Sequence, residues 1–219
     1  MTNEEYFDIL SPKIAELQML RETGKSIAAG IIGKSLLKEG FFFCTATDRC
    51  MHLIDGLSSM LQERNLTCAG ALLRLQLDNC MRTYAAFIAD DKNAVIDCII
   101  SGNRINKQKS TDGKNLSDAN LRSALSKIDS RFSNVYNQAS GFIHLSEKAF
   151  YQTVVRCEDS SIEFQIGGTL PEKRNPVLIE CADAFIHFTK LHFKMLTAVA
   201  ESKTYFDLEY EQQTGRDKE

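Results

Sequence analysis

Apolar residues recur three and four positions apart through most of this chain. Leu73, Leu77, Met81, Ala85 and Ile88 keep that spacing and predict a long helix from Thr67 to Asp90. Met51, Ile54, Leu57, Met60 and Leu61 predict another from Phe41 to Arg64. At the start, Thr2 with Glu5 makes a capping-box pattern, and Ser11-Pro12 places a cap before a first-turn proline. Two short helical pieces are therefore expected to open the chain, followed by a helix from Lys25 to Lys38 that stops at Gly40. A short helix is expected over Asp91 to Ile100. Ser117 can cap one carrying Leu121, Leu125 and Ile128, and a further helix covers Phe132 to Leu145.

The period changes from 3.6 to 2 between Phe150 and Ile166. Tyr151, Thr153, Val155 and Cys157 alternate with their neighbours, Glu158 to Ser161 supply a turn, and Ile162, Phe164 and Ile166 lie two apart, which predicts a β-hairpin. Asn175-Pro176 then predicts the cap and first turn of a last helix reaching about Tyr205. The expected fold is mainly α, an antiparallel helical bundle with one β-hairpin near residues 150–166. Residues 1–205 form one domain, 101–115 a mobile basic loop with four basic residues and one apolar one, and 206–219 a frayed acidic tail.

Composition adds exclusions. The chain has 219 residues, 43% of them hydrophobic and 25% charged, with 12 Gly, 3 Pro and a net charge of −3. These are the proportions of a folded globular chain rather than a disordered one. The acidic start MTNEEYFDILSPK lacks the apolar run of a secretory signal, and the stretch from Ser26 to Leu37 is too short to span a bilayer. A cytoplasmic location with no membrane partner is expected. The seven cysteines are odd in number and none sit two residues apart, so they read as small buried hydrophobes in a reducing compartment.

Several chemical motifs fall to the same scrutiny. Ala28 to Ser35 (AAGIIGKS) fits the letters of a phosphate-binding loop, but such a loop must leave a strand and open a helix, and Glu16 to Lys25 read as helix. Its small residues Ala28, Ala29, Gly30 and Gly33 instead predict close helix packing. His187 and His192 stand roughly 140° apart on one helix and cannot share a metal. No His-Glu-x-x-His run, Cys/His quartet or Gly-x-Ser-x-Gly elbow is present, so no metal and no cofactor are expected.

Two polar ladders remain. Arg74, Asp78 and Arg82 are spaced by four on one helix, so the carboxylate can pair with either guanidinium. Tyr136, Ser140 and His144 are spaced by four on another, beside apolar Val135, Phe142, Ile143 and Leu145. If the ladders meet they form one polar cluster, either a clamp that sets helix register or a binding or catalytic site.

Ala71-Leu-Leu-Arg74 with Asp78, the loop ending Asp112-Gly113-Lys114, and Tyr136-x-x-x-Ser140-Gly141-x-x-His144-x-Ser146 resemble a family of bacterial helical proteins related to the HEPN (higher eukaryote and prokaryote nucleotide-binding) superfamily, over roughly residues 65 to 190. The resemblance implies a bundle around two long antiparallel helices, common among bacterial defence or toxin-like proteins, whose active members are metal-independent RNases. Those members carry an Arg, four to six residues, then His on one helix. Here Asn137, Gln138, Ala139 and Ser140 occupy the positions before His144, with no Arg.

Two functions follow as expectations. The first is a HEPN-like binding or interaction module whose site is the cluster of Arg74, Asp78, Arg82, Tyr136, Ser140 and His144. The second is metal-independent RNA cleavage, with His144 as acid or base, Arg74 or Arg82 stabilising the transition state, and RNA or nucleotide held by Arg104, Lys107, Lys109 and Lys114. A homodimer is expected through the last helix, where Ile179, Ala182, Phe185, Phe188, Leu191, Met195, Leu196 and Val199 exceed one apolar stripe. The resemblance also implies such a dimer.

Overall fold

The computed structural model describes the chain apart from residues 145, 148–149, 151–152, 159–160 and 215–219. Among the described residues the helices are α1 (Asn3–Ile32), α2 (Lys38–Gln62), α3 (Leu66–Ile88), α4 (Lys92–Ile100), α5 (Asp118–Ile128), α6 (Phe132–Ile143) and α7 (Asn175–Thr214). The strands β1 (Val154–Glu158) and β2 (Ser161–Phe164) pair antiparallel, Cys157 opposite Ile162. This is the mainly α bundle with a single hairpin that the periodicity predicts. No helix among the described residues is long and apolar enough to cross a membrane.

The capping box forms as read: Glu5 N–H donates to Thr2 Oγ1 at 3.2 Å and Thr2 N–H to Glu5 Oε2 at 2.7 Å. Asp91 and Ser117 cap α4 and α5 through Ala94 N–H and Asn120 N–H. The expected break at Pro12 does not occur, and α1 runs unbroken through it. Proline removes one helical donor, but Pro12 and Asp8 both face solvent, so the carbonyl that loses its partner is hydrated. Tyr6, Leu10, Leu17 and Leu20 bury the same helix face on both sides of it. The stop falls at Gly33, whose φ of +52° suits glycine, rather than at Gly40, which lies in the first turn of α2.

Consecutive long helices run antiparallel: Ala28 meets Cys44 while Arg21 meets Asp55, and Ala46 meets Asn79 while Gly56 lies against Leu72. The last helix runs parallel to the first. Asn175 Nδ2 donates to Thr2 O and Asn3 Oδ1, while a Cβ placed on Gly30 would meet Ala200 Cβ at 3.0 Å. The small residues of the AAGIIGKS segment thus serve close packing. Asn175 is not the cap of α7 but its first helical residue, fully buried, and its Oδ1 accepts from Arg64 Nε and Nη2 at 3.0 and 2.8 Å. Arg64, at φ +52°, also donates to Leu170 O, so one side chain ties the α2–α3 turn to the start of α7.

Beyond Tyr205 the helix continues to Thr214 where a frayed tail was expected, and Asp207 accepts from Lys34 N–H at 3.0 Å and pairs with Lys203. The basic stretch 101–115 carries a 3-10 turn at Ile105–Lys107 and isolated bridges Ala89 to Ser110 and Lys109 to Asn115. On α7, Ala182, Phe185, Phe188 and Leu196 are buried within this chain against α1, α2 and α3. Ile179, Leu191, Met195 and Val199 pack against this core but keep part of their surface exposed. Leu145, Tyr151 and two residues of the hairpin turn, 159 and 160, lie outside the described residues.

Candidate functional site

Helical spacing puts Arg74, Asp78 and Arg82 on one face of α3, and Asp78 Oδ1 lies 3.9 Å from Arg74 Nη1 and 3.3 Å from Arg82 Nη2. Helix α6 crosses antiparallel to it and supplies Tyr136 and Ser140. Arg74 Nε donates to Ser140 Oγ at 3.3 Å, and Arg74 Nη2 donates to the Tyr136 hydroxyl. The Arg74 guanidinium sits 3.8 Å from the Tyr136 ring centroid, with Arg122 at 5.2 Å from the same ring. A planar cation stacks on such a ring because the ring's face is negative. Burial pushes the Tyr136 hydroxyl above its ordinary pKa, while Arg74 pulls it back. The phenol therefore stays protonated and available as a partner.

His144 stands apart from this cluster. Helix α6 ends at Ile143, and His144 has extended backbone (φ −104°, ψ 151°) and an exposed side chain. Four-residue spacing aligns side chains only while the helix continues. Here Ser146 Oγ donates to Gly141 O at 2.7 Å, satisfying one of the last carbonyls of the helix. The ladder thus loses the acid–base group on which cleavage by His144 depends.

Arg82 differs from Arg74 in its partners and its surroundings. Its Nη2 donates to Asp118 at 2.8 Å as well as to Asp78, and with Ile99 it lines two clefts. The first, about 510 Å³, lies between α2, α3 and the end of α4. Phe41, Phe42, Ile99 and Ile100 form its walls, with Asn79 and Thr83 deeper in. The second, about 720 Å³, is lined by Arg104, Asn103, Asn106 and Asp118. Arg49 on the first cleft and Arg104 on the second are exposed and have no carboxylate partner among the described residues.

The other basic-loop residues do not join this site. Lys107 and Lys109 are exposed and line neither cleft, while Lys114 pairs with Asp112 at 2.6 Å beside a smaller depression near α5. Lys114 and Ser110 donate to Asp112 and hold its carboxyl down at about 2.

A buried polar chain escaped the sequence reading. Gln76 Nε2 lies 3.3 Å from Cys50 Sγ and 3.5 Å from His192 Nδ1, and His192 Nε2 lies 2.9 Å from Thr83 Oγ1. All four side chains are inaccessible, and burial pushes His192 down to about 3, so the imidazole is neutral. The sequence does hold a signal: Gln76 and Thr83 lie seven residues apart on the face that buries Ala69, Leu73 and Cys80. Polar residues repeating on a buried stripe must find partners.

Elsewhere, Asp129 accepts from Arg131 and lies 2.5 Å from His187 Nε2, which ties the α5–α6 turn to α7. Arg131, with His187 second, holds the Asp129 carboxyl well below the usual range. The AAGIIGKS segment closes α1 at its C-terminal end, where carbonyls rather than N–H groups are presented, the wrong polarity for phosphate. Cys50, Cys80 and Cys181 are buried and Cys44 and Cys98 partly so, but Cys68 and Cys157 are exposed, because their helix and strand turn those positions outward. No group of three His, Cys, Asp or Glu that could hold a metal occurs among the described residues. Comparison with protein-family models, with curated proteins and with solved structures gave no match to the chain.

Proposed function

We propose that the chain is a binding module, HEPN-like in the sense of its sequence resemblance, that takes a small ligand bearing an anionic group at the paired clefts flanking Arg82. The observation that carries this reading is the placement of Arg82 between the two clefts, where it lines both together with Ile99 and is held by Asp78 and Asp118. Concave, mostly apolar clefts with a few convergent polar groups are the usual form of small-ligand sites. Exposed Arg49 and Arg104 add a free cation to each cleft. The exposed His144 offers this cluster no proton transfer, so binding is favoured over turnover.

The test is a melting series with mononucleotides, short single-stranded RNA and small organic carboxylates. At least one class should raise the melting temperature of the wild type by several degrees at saturation and leave Arg82→Ala unmoved, since a ligand that binds only the folded state stabilises it. No shift with any class, or equal shifts in both proteins, would overturn the reading. RNA cleavage in EDTA that disappears in His144→Ala would establish the nucleolytic alternative instead.

A further inference from the structure

The first cleft carries more information than its shape. Arg49 on its rim has no partner among the described residues, whereas Arg82 is already engaged by two carboxylates. Asn79, only 5% exposed, lines it and donates through Nδ2 to Ala46 O at 2.9 Å, while its Oδ1 accepts from no described residue and is left open to the cleft's solvent. An acceptor open to a cleft is hydrated until a ligand N–H displaces that water and takes its place. Phe41 and Ile100, 55% and 52% exposed, leave an apolar wall beside it. The cleft therefore offers one site for an anion, one acceptor for an N–H group, and carbon walls.

We propose that this cleft binds an apolar α-amino acid, with its carboxylate on Arg49, its ammonium on Asn79 Oδ1 beside Asp78, and its side chain against Phe41, Phe42 and Ile100. The spacing fits, because Arg49 lies three residues beyond Ala46, to which Asn79 is bonded. That is roughly 4.5 Å along α2, a gap the arginine side chain spans with ease. Charge decides between ligand classes. Asp78 lines the same cleft, so a phosphate dianion would meet an anion there, whereas a zwitterion turns its ammonium toward that carboxylate and its carboxylate toward Arg49.

This inference rests on the reading that the clefts around Arg82 are the binding site. Calorimetric titration of the full chain with L-phenylalanine and L-leucine tests it, with 3-phenylpropanoate as the analogue lacking the ammonium. Saturable binding is expected, weakened about tenfold when Arg49→Ala removes the carboxylate partner and about tenfold for the analogue. Arg49 is exposed, so this variant leaves the fold intact, and the analogue probes Asn79 without altering the protein. No saturable binding, or binding unchanged in both comparisons, would overturn the inference. Arg82-dependent binding of mononucleotides without binding of either amino acid would defeat the inference alone, and no binding in either series would defeat the parent reading as well.

Discussion

Arg74 and Arg82 occupy the two ends of one ladder on α3, share Asp78 between them, and have become different things. Arg74, with a side chain 14% exposed, directs its donors to Ser140 and Tyr136 and lays its plane on the tyrosine ring. Arg82, 29% exposed, is paired only with carboxylates and borders open clefts on two sides. The difference comes from what crosses α3 at each level. Helix α6 covers the Arg74 end, whereas the Arg82 end faces the termini of α4 and α5, where short elements leave gaps. A closed end of this kind holds helices together, and an open end has wall and charge to offer a ligand.

The largest expected effect belongs to the closed end. Arg74→Ala removes a partly desolvated stacking contact and hydrogen bonds from a charged donor, and should cost roughly 2–3 kcal/mol in denaturant unfolding. A cost under about 0.5 kcal/mol would make Arg74 as peripheral as an ordinary surface arginine. Tyr136→Phe separates the two contributions. It keeps the ring and loses the hydroxyl, so a cost of about 1 kcal/mol is expected by the same measurement. A loss as large as that of Arg74→Ala would show that the stack contributes little.

The smallest effect concerns the pair of half-buried Asp129 with exposed Arg131, away from both ends. Because its partners hold the Asp129 carboxyl below the usual range, the folded state favours the ionised form. That stabilisation is present above the unfolded-state pKa of about 3.9 and is lost as pH falls below it toward the folded-state value. Arg131 is largely exposed, so the contribution is expected to stay under about 1 kcal/mol. Melting curves of the wild type and Asp129→Asn should differ slightly at pH 7 and converge as the pH falls below about 4. A gap that widened in acid would reverse the assigned sign.

The contrast between the two ends also marks where sequence reading stops. Local chemistry was legible: the caps at Thr2 and Ser117 and the apolar stripes of α2 and α3 follow from neighbours within one or two turns. The four-residue spacing correctly stacks Arg74, Asp78 and Arg82, because it depends on one helix alone. What needed a second element was not legible. His144 left its ladder because α6 ends one residue earlier, and no residue spacing states where a helix will end. Asp118, the closer carboxylate partner of Arg82, lies 36 residues away, and the contact of Gln76 with His192 spans 116. Pro12 was misread for the same reason, since its cost is borne by tertiary burial on either side.

The account turns on the division of labour along α3, and one paired measurement reaches it directly. Arg74→Ala and Arg82→Ala are each unfolded in denaturant and each titrated with whichever ligand the wild type binds. The expected result is a crossing: Arg74→Ala loses stability and, while folded, keeps its dissociation constant within about twofold, whereas Arg82→Ala keeps its stability within about 1 kcal/mol and binds at least about tenfold more weakly. Equal losses of stability in the two variants, or ligand affinity that depends on Arg74 and not on Arg82, would contradict it.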